Sequence, residues 1–267
     1  MTTTLPTTTP GRYGVRQVAK SEVVKILTLR STLITLGLTV VASLLVTGLV
    51  THAALHQQPG WYNGFDPTQT SLTGMITVAL TGGVFGALLI TGEYASGTIR
   101  TTLAATPRRP LLLVTKMGVT ALLTLAFCEL LSFVSFFLGE AILSSGRAPS
   151  ASLGSPGAAR AVAMTGVFIA LLALMSFGFG LIFRSTAAAI AAFVGVVFVL
   201  PLVMHAISQS GVRYIPSNIL TQSIMSTVNQ GGGPNSPVSP AVGLLLMALY
   251  AAIALAAGAV LFVRRDA

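Results

Sequence analysis

Apolar runs about 20 residues long alternate with short polar stretches along this chain, and six of them set its plan. They span about Thr32–Leu55, Leu72–Thr91, Leu111–Ile142, Ala158–Phe183, Ala187–Ile207 and Ala241–Val263. A run of that length crosses about 30 Å of hydrocarbon as a helix rising 1.5 Å per residue. The runs are continuous rather than alternating, so they predict helical spans and exclude a β-barrel. The third is too long for one upright crossing and must tilt or project beyond the bilayer. Only Arg184, Ser185 and Thr186 separate the fourth from the fifth, which predicts a tight turn. Ahead of the first span, Tyr13–Arg30 mixes Val15, Val18, Val23, Ile26, Leu27 and Leu29 with basic residues. That mixture predicts a helix lying along the headgroups with its Lys and Arg stems snorkelling, the alternative being a basic tail that only enforces topology.

The connections have their own patterns. Trp61, Tyr62 and Phe65 after the first span suit an interfacial aromatic belt, and SSGRAPSASLGSPG after the third is a small-residue linker. Pro216-Ser217-Asn218 followed by Leu220, Ile224 and Val228 at four-residue spacing predicts a short amphipathic helix. Gly231–Gly233 and three prolines then lead flexibly into the last span. Residues 1–12 begin MTTTLPTTTP, with no hydrophobic centre, and are expected to be a disordered leader rather than a signal peptide. Residues 13–267 are expected to form one six-helix transmembrane domain.

Composition narrows the class. With 53% hydrophobic and only 8% charged residues and a mean hydropathy of +0.85, the chain cannot cover a soluble surface of this size. The net charge of +9 matters for where its cations lie. If there are six spans, one side carries Arg12, Arg16, Lys20, Lys25, Arg30, Arg100, Arg108, Arg109, Lys116, Arg184, Arg264 and Arg265. The other carries only Arg147, Arg160 and Arg213. Lys and Arg are retained on the cytoplasmic side, so both termini are expected to be cytoplasmic in a multi-pass protein of the cell membrane. No soluble segment interleaves basic and aromatic residues, which argues against nucleic-acid binding. Cys128 lies alone in an apolar run, so there is no intrachain disulfide or thiolate metal site.

Catalysis finds little support. No G-x-x-x-x-G-K-[ST] loop is present, so the chain is not expected to split ATP, to act as an enzyme or to hold a cofactor. His52, His56 and His205 have no metal-ligand spacing with carboxylates or cysteines. Glu129 falls about 20 Å of helix beyond Lys116, inside the membrane, and Glu140 three turns further. An intramembrane carboxylate is costly to bury, which makes Glu129 a candidate for the translocation path or a subunit interface; a plain interhelical hydrogen bond or access to headgroup water is the alternative. Gly82 and Gly86, flanked by Ala79, Gly83 and Ala87, and Ala254 with Gly258 have the spacing that lets membrane helices touch, within the chain or between subunits.

The most elaborate polar segment is GEYASGTIRTTLAATPRRPLLLVTK, residues 92–116. Glu93 ends the second span, where the helix dipole disfavours a carboxylate, so a basic partner is expected nearby. Gly97 breaks the span, Thr98 can cap a new helix, and Ile99 and Leu103 share one face of it. Pro107 ends that helix, Arg108 and Arg109 follow, and Pro110 suits the first turn of the third span. The result is a short helix on a cytoplasmic loop with Ile99 and Leu103 presented outward.

The string Glu93-x-x-x-Gly97-Thr98-Ile99-x-x-x-Leu103-x-x-x-Pro107-x-Arg109, followed by Lys116, resembles the signature of type-2 ABC transporter permeases, and EYASGTIRTTLAATPRR is especially similar to actinobacterial members. The resemblance implies an all-α fold of six transmembrane helices with an N-terminal interfacial helix, a cytoplasmic coupling helix between spans 2 and 3, and a re-entrant exterior segment between spans 5 and 6. It implies that Gly97–Pro107 fits a groove of a separate ATPase subunit, with Glu93, Gly97, Thr98, Ile99, Leu103, Pro107 and Arg109 as the coupling residues. The expected partners are ABC ATPase subunits, a second permease copy or paralogue, the lipid bilayer and a transported substrate whose class the pattern does not specify. An exporter is the expected direction. Two other readings stand beside it: a secondary transporter or channel, disfavoured by sparse intramembrane charge, and a non-transporting membrane anchor or sensor whose loop docks a regulator.

Overall fold

The structure, a computed structural model, describes residues 15–28, 30–57, 59–62, 64–99, 109–207, 209–226 and 238–264. The expected leader, residues 1–12, lies outside them. No strand occurs among the described residues. Helix α1 is Val15–Thr28, α2 is Arg30–Ala54, α3 is Pro67–Ser71 and α4 is Met75–Ala95. Next come α5 (Arg109–Ser145), α6 (Ala158–Phe183), α7 (Thr186–Val194), α8 (Leu200–Ile207), α9 (Gln209–Val212), α10 (Pro216–Ser223) and α11 (Pro240–Arg264). Six helical segments are long and apolar enough to cross a membrane: α2, α4, α5 from Pro110, α6, α7–α8 together and α11. The fourth coincides with the sequence expectation, while α4 starts at Met75 because Leu72 instead closes α3.

Helix α2 shows the solvent this fold is built for. Its buried residues are Thr32, Thr39, Ser43, Thr47, Thr51 and Ala54, whereas Leu33, Leu38, Val41, Leu45 and Leu49 are exposed. A soluble helix buries the opposite set, because leucine leaves water and threonine stays in it. In lipid, leucine costs nothing outside, and small hydroxyls inside let helices approach while bonding their own backbone. Thr39 Oγ1 donates to Thr35 O at 2.8 Å and Thr51 Oγ1 to Thr47 O at 2.7 Å. Gly74, at the start of α4, completes the contact, since a Cβ there would fall 2.2 Å from Ser43 O.

The most buried spanning helix is α6, packed against α4, α5, α7 and α11. Glycines set those approaches. A Cβ on Gly86 would lie 2.1 Å from Ala173 O, and one on Gly258 would lie 2.7 Å from Leu181 Cβ. Gly83 admits the Phe193 ring of α7, and Gly178 admits the backbone of Ala254. The small-residue motifs of the second and last spans are thus used within the chain.

Span 5 is interrupted. Between α7 and α8, Gly195–Val199 forms a π-helical turn, and Pro201 follows inside α8. Proline offers no N–H and crowds the carbonyl four residues back, so the widened turn is where the hydrogen-bond ladder accommodates it. Arg184 in the left-handed region (φ 52°) turns the chain from α6 into α7, as expected of the three-residue break.

The ends of Arg30, Ala95, Arg109, Phe183 and Arg264 define one face of the bundle, called the basic face below. On the opposite face, α10 opens with Pro216 in its first turn and buries Ile219 and Leu220 against α6 and α11. Val228, expected on the same stripe, lies outside the described residues. Trp61, Tyr62 and Phe65 pack together there in edge-to-face and tilted pairs, with ring centroids 4.9 to 5.8 Å apart.

Candidate functional site

Helix α1 carries a buried stripe at four-residue spacing, Val18, Glu22 and Ile26, which faces the spanning helices. Ile26 packs with Phe85 of α4 and Val119 of α5. Glu22 in the middle of that stripe would be a buried, unpaired charge were it not met by Lys116 of α5. Lys116 Nζ donates to Glu22 Oε2 at 2.6 Å and to Glu93 Oε1 of α4 at 2.6 Å. Lys25, one turn after Glu22, pairs with the same Glu93 oxygen. The expected basic partner of Glu93 therefore exists twice over, and the chain Glu22–Lys116–Glu93–Lys25 alternates in sign across three helices.

Burial makes this chain consequential. Lys116, Glu93 and Glu22 are 4%, 3% and 5% exposed, while Lys25 reaches the surface. Charges taken this far from water persist only if paired, and removing one leaves its partners uncompensated. Glu93 Oε2 is buried with no hydrogen-bond partner among the described residues, so the carboxylate depends wholly on its other oxygen. A cavity of about 450 Å³ adjoins the network, polar at Ser31, Thr32 and Thr98 and apolar at Phe85 and Leu88. Two further contacts tie the same face together. Thr186 Oγ1 donates to Thr91 Oγ1 at 2.9 Å, and the Arg184 guanidinium stacks 5.4 Å from the centroid of the Tyr94 ring.

The segment leaving α4 is the one singled out by its punctuation. Ser96 closes α4, and Gly97 takes the left-handed conformation (φ 69°) that reverses the chain without a Cβ penalty. Thr98 and Ile99 are helical, and the Thr98 hydroxyl bonds Ser96 Oγ at 2.9 Å; the residues that would carry the expected helix onward lie outside those described. Ile99 corrects the sequence reading. It was expected to face outward, yet it is 4% exposed and packs among Ile90, Leu113, Phe177, Leu181 and Phe262. The reversal at Gly97 folds Ile99 back under the ends of α4, α5, α6 and α11. Leu103 and Pro107 lie outside the described residues. Arg109 is the first residue of α5, with Pro110 in its first turn as expected.

The intramembrane carboxylates are separate from this network. Glu129 is half-buried where α5 crosses α6, with Gly166 opposite it: a Cβ there would lie 2.6 Å from Glu129 Cδ. Glu140 is buried and fixed, accepting from Ser71 Oγ at 3.0 Å and from Ala151 N at 2.6 Å. At the opposite face Asp66 caps α3 through Gln69 N and also accepts from Ser226 N at 2.7 Å, while Arg160 Nη2 donates to Met225 O and Ser226 O, both at 3.0 Å. That cluster staples the connection after α2 to the one after α10. Among the described residues no three His, Cys, Asp or Glu side chains gather as a metal site, and Cys128 is buried.

These features define a multi-pass α-helical membrane protein, with apolar residues both inside the bundle and around it, hydroxyl side chains at the α2 contacts and a buried ion network at one face. The chain belongs to the family described as protein of unknown function (DUF2705), whose profile matches residues 55–267. No curated protein matches it. The matched region contains Glu93 and Lys116, whereas Glu22 and Lys25 precede it.

Proposed function

We propose that the chain is the membrane-spanning permease subunit of an ATP-binding cassette exporter, with its basic face and both termini in the cytoplasm of a cell-membrane complex. It works as a pair with a second permease copy or paralogue, on two separate ATPase subunits. The observation that carries this reading is the 92–116 segment. Its sequence resembles the coupling loop of type-2 permeases, and its two ends are held by one buried network, through Glu93 on one side and Lys116 on the other. A push on the segment between them reaches α1, α4 and α5 together. ATP-driven closure of the ATPases would then bias two arrangements of the helices by their differential affinity, as any such transition requires. Ile99 serves as the inward anchor of the segment, and docking falls to residues 100–108, which include Leu103 and Pro107. The buried α10 supports a re-entrant role for the exterior segment, and α1 supports an interfacial one.

Affinity purification of the chain from its native membranes in mild detergent tests the assignment. An ATPase bearing a phosphate-binding loop should copurify in near-stoichiometric amount, and reconstituted transport should require ATP. Ion-gradient-driven uptake by the chain alone, with no ATPase recovered, would replace this reading by a secondary transporter.

A further inference from the structure

His52 lies in the last turn of α2 and His56 just beyond it, on the face opposite the ion network. Both are exposed, and among the described residues each ring bonds only the other. The rings meet edge to face with centroids 4.9 Å apart and planes at 80°, and their Nε2 atoms are 3.3 Å apart. A zinc ion sits about 2.0–2.1 Å from an imidazole nitrogen; placed at that distance from both Nε2 atoms 3.3 Å apart, it subtends an angle of about 107°, close to tetrahedral.

We propose that His52 and His56 form a two-histidine site for a divalent transition-metal ion of the zinc class, with water in the remaining positions. Imidazole nitrogens suit Zn²⁺, Ni²⁺ and Cu²⁺ and not the oxygen-seeking Mg²⁺ or Ca²⁺. The four-residue spacing brings both donors to one side of the helix. Metal binding requires both rings in the Nδ1–H tautomer, so the Nε2–Nε2 hydrogen bond gives way to two bonds to the ion, and water is what else leaves the exposed rings. The local backbone gives such an ion something to fix. Past Ala54 the chain continues in tightened turns, with Leu55 N donating to His52 O, His56 N to Ala53 O and Gln57 N to Ala54 O at 3.1 to 3.3 Å. Tyr62 OH also reaches back to Ala54 O at 3.0 Å. A metal bridging the two rings locks these turns at the end of α2, and with them the start of a connection whose far end Asp66 already holds to Ser226. This inference does not rest on the transporter reading.

The test uses the full chain in nanodiscs, free of any histidine tag, titrated with Zn²⁺ and with Ni²⁺. One ion should bind per chain, and Zn²⁺ should slow amide exchange at residues 55–57. Because the second ligand acts intramolecularly once the first has bound, His52→Gln or His56→Gln alone should weaken binding about tenfold or more. His205→Gln, an exposed histidine elsewhere, should change nothing. Moving the second ring one residue, with His56→Gln and Gln57→His together, keeps the histidine count and should still lose the affinity. Equal binding by wild type and the single variants, or by the shifted variant, would overturn the site, as would metal binding without slowed exchange at residues 55–57.

Discussion

Lys116→Met will lower the melting temperature of the purified protein by the order of 10 °C and free α1 from the bundle. Among the described residues, Lys116 is the one buried cation between Glu22 and Glu93, at 2.6 Å from each. Its removal leaves Glu22 buried and unpaired, and Glu93 with Lys25 alone. Breaking a buried pair from one side costs about 3–5 kcal/mol, and in a chain this long each kcal/mol moves the melting temperature by about 2–4 °C. Adding Glu22→Gln should restore much of the loss, since the remaining carboxylate keeps a partner and the amide carries no charge. Proteolysis reads the local consequence: cleavage after Arg16 and Lys20 should accelerate in Lys116→Met and recover in the double variant. Unchanged melting and cleavage would mean that the network contributes nothing to holding α1.

The second large effect is functional. Ile99→Ala removes a side chain packed among Ile90, Leu113, Phe177, Leu181 and Phe262, with a cost of about 2–5 kcal/mol for the cavity. The loss falls at the root of the proposed coupling segment, where the loop meets four spanning helices. The expected result is a complex that still recovers its ATPase and hydrolyses ATP but moves less substrate per ATP. Gly92→Ala, whose added Cβ would meet nothing within 4 Å, is the matched control. If Ile99→Ala transports as well per ATP as wild type, Ile99 is packing alone and the route from the loop into the bundle runs elsewhere.

The spans were legible because lipid demands continuous apolar helices, and their ends were legible where a breaking residue stands. Ala158–Phe183 was placed correctly since Pro156-Gly157 and Arg184 bracket it. The start of α4 was not, because Leu72 and Met75 are equally apolar; the clue was Asp66-Pro67, an N-cap and first-turn pair announcing α3 just before it. The partner of Glu93 was anticipated from the helix dipole, but Glu22 was passed over. Its signal was present: the single acid of a basic segment, spaced four residues from both Val18 and Ile26, sits on the stripe that must be buried. What no local pattern carries is that this stripe meets Lys116, 94 residues away. Ile99 was misread for a related reason. Helical spacing says which residues share a face, and only the turn at Gly97 decides which way that face looks.

Crosslinking from the loop tests the central claim most directly. Cys128 is the only cysteine and is buried in the bundle, so Cys128→Ser gives a background for single cysteines placed by Thr106→Cys or Ser152→Cys. In native membranes, a short bifunctional thiol reagent should join Thr106→Cys to an ATPase subunit identified by its phosphate-binding loop, and ATP should change the yield. Ser152→Cys, on the opposite face, should give no such product and should react with an impermeant thiol reagent from outside the cell. An ATPase adduct from Ser152→Cys, or Thr106→Cys labelled from outside with no ATPase attached, would contradict both the orientation and the coupling role of residues 97–108.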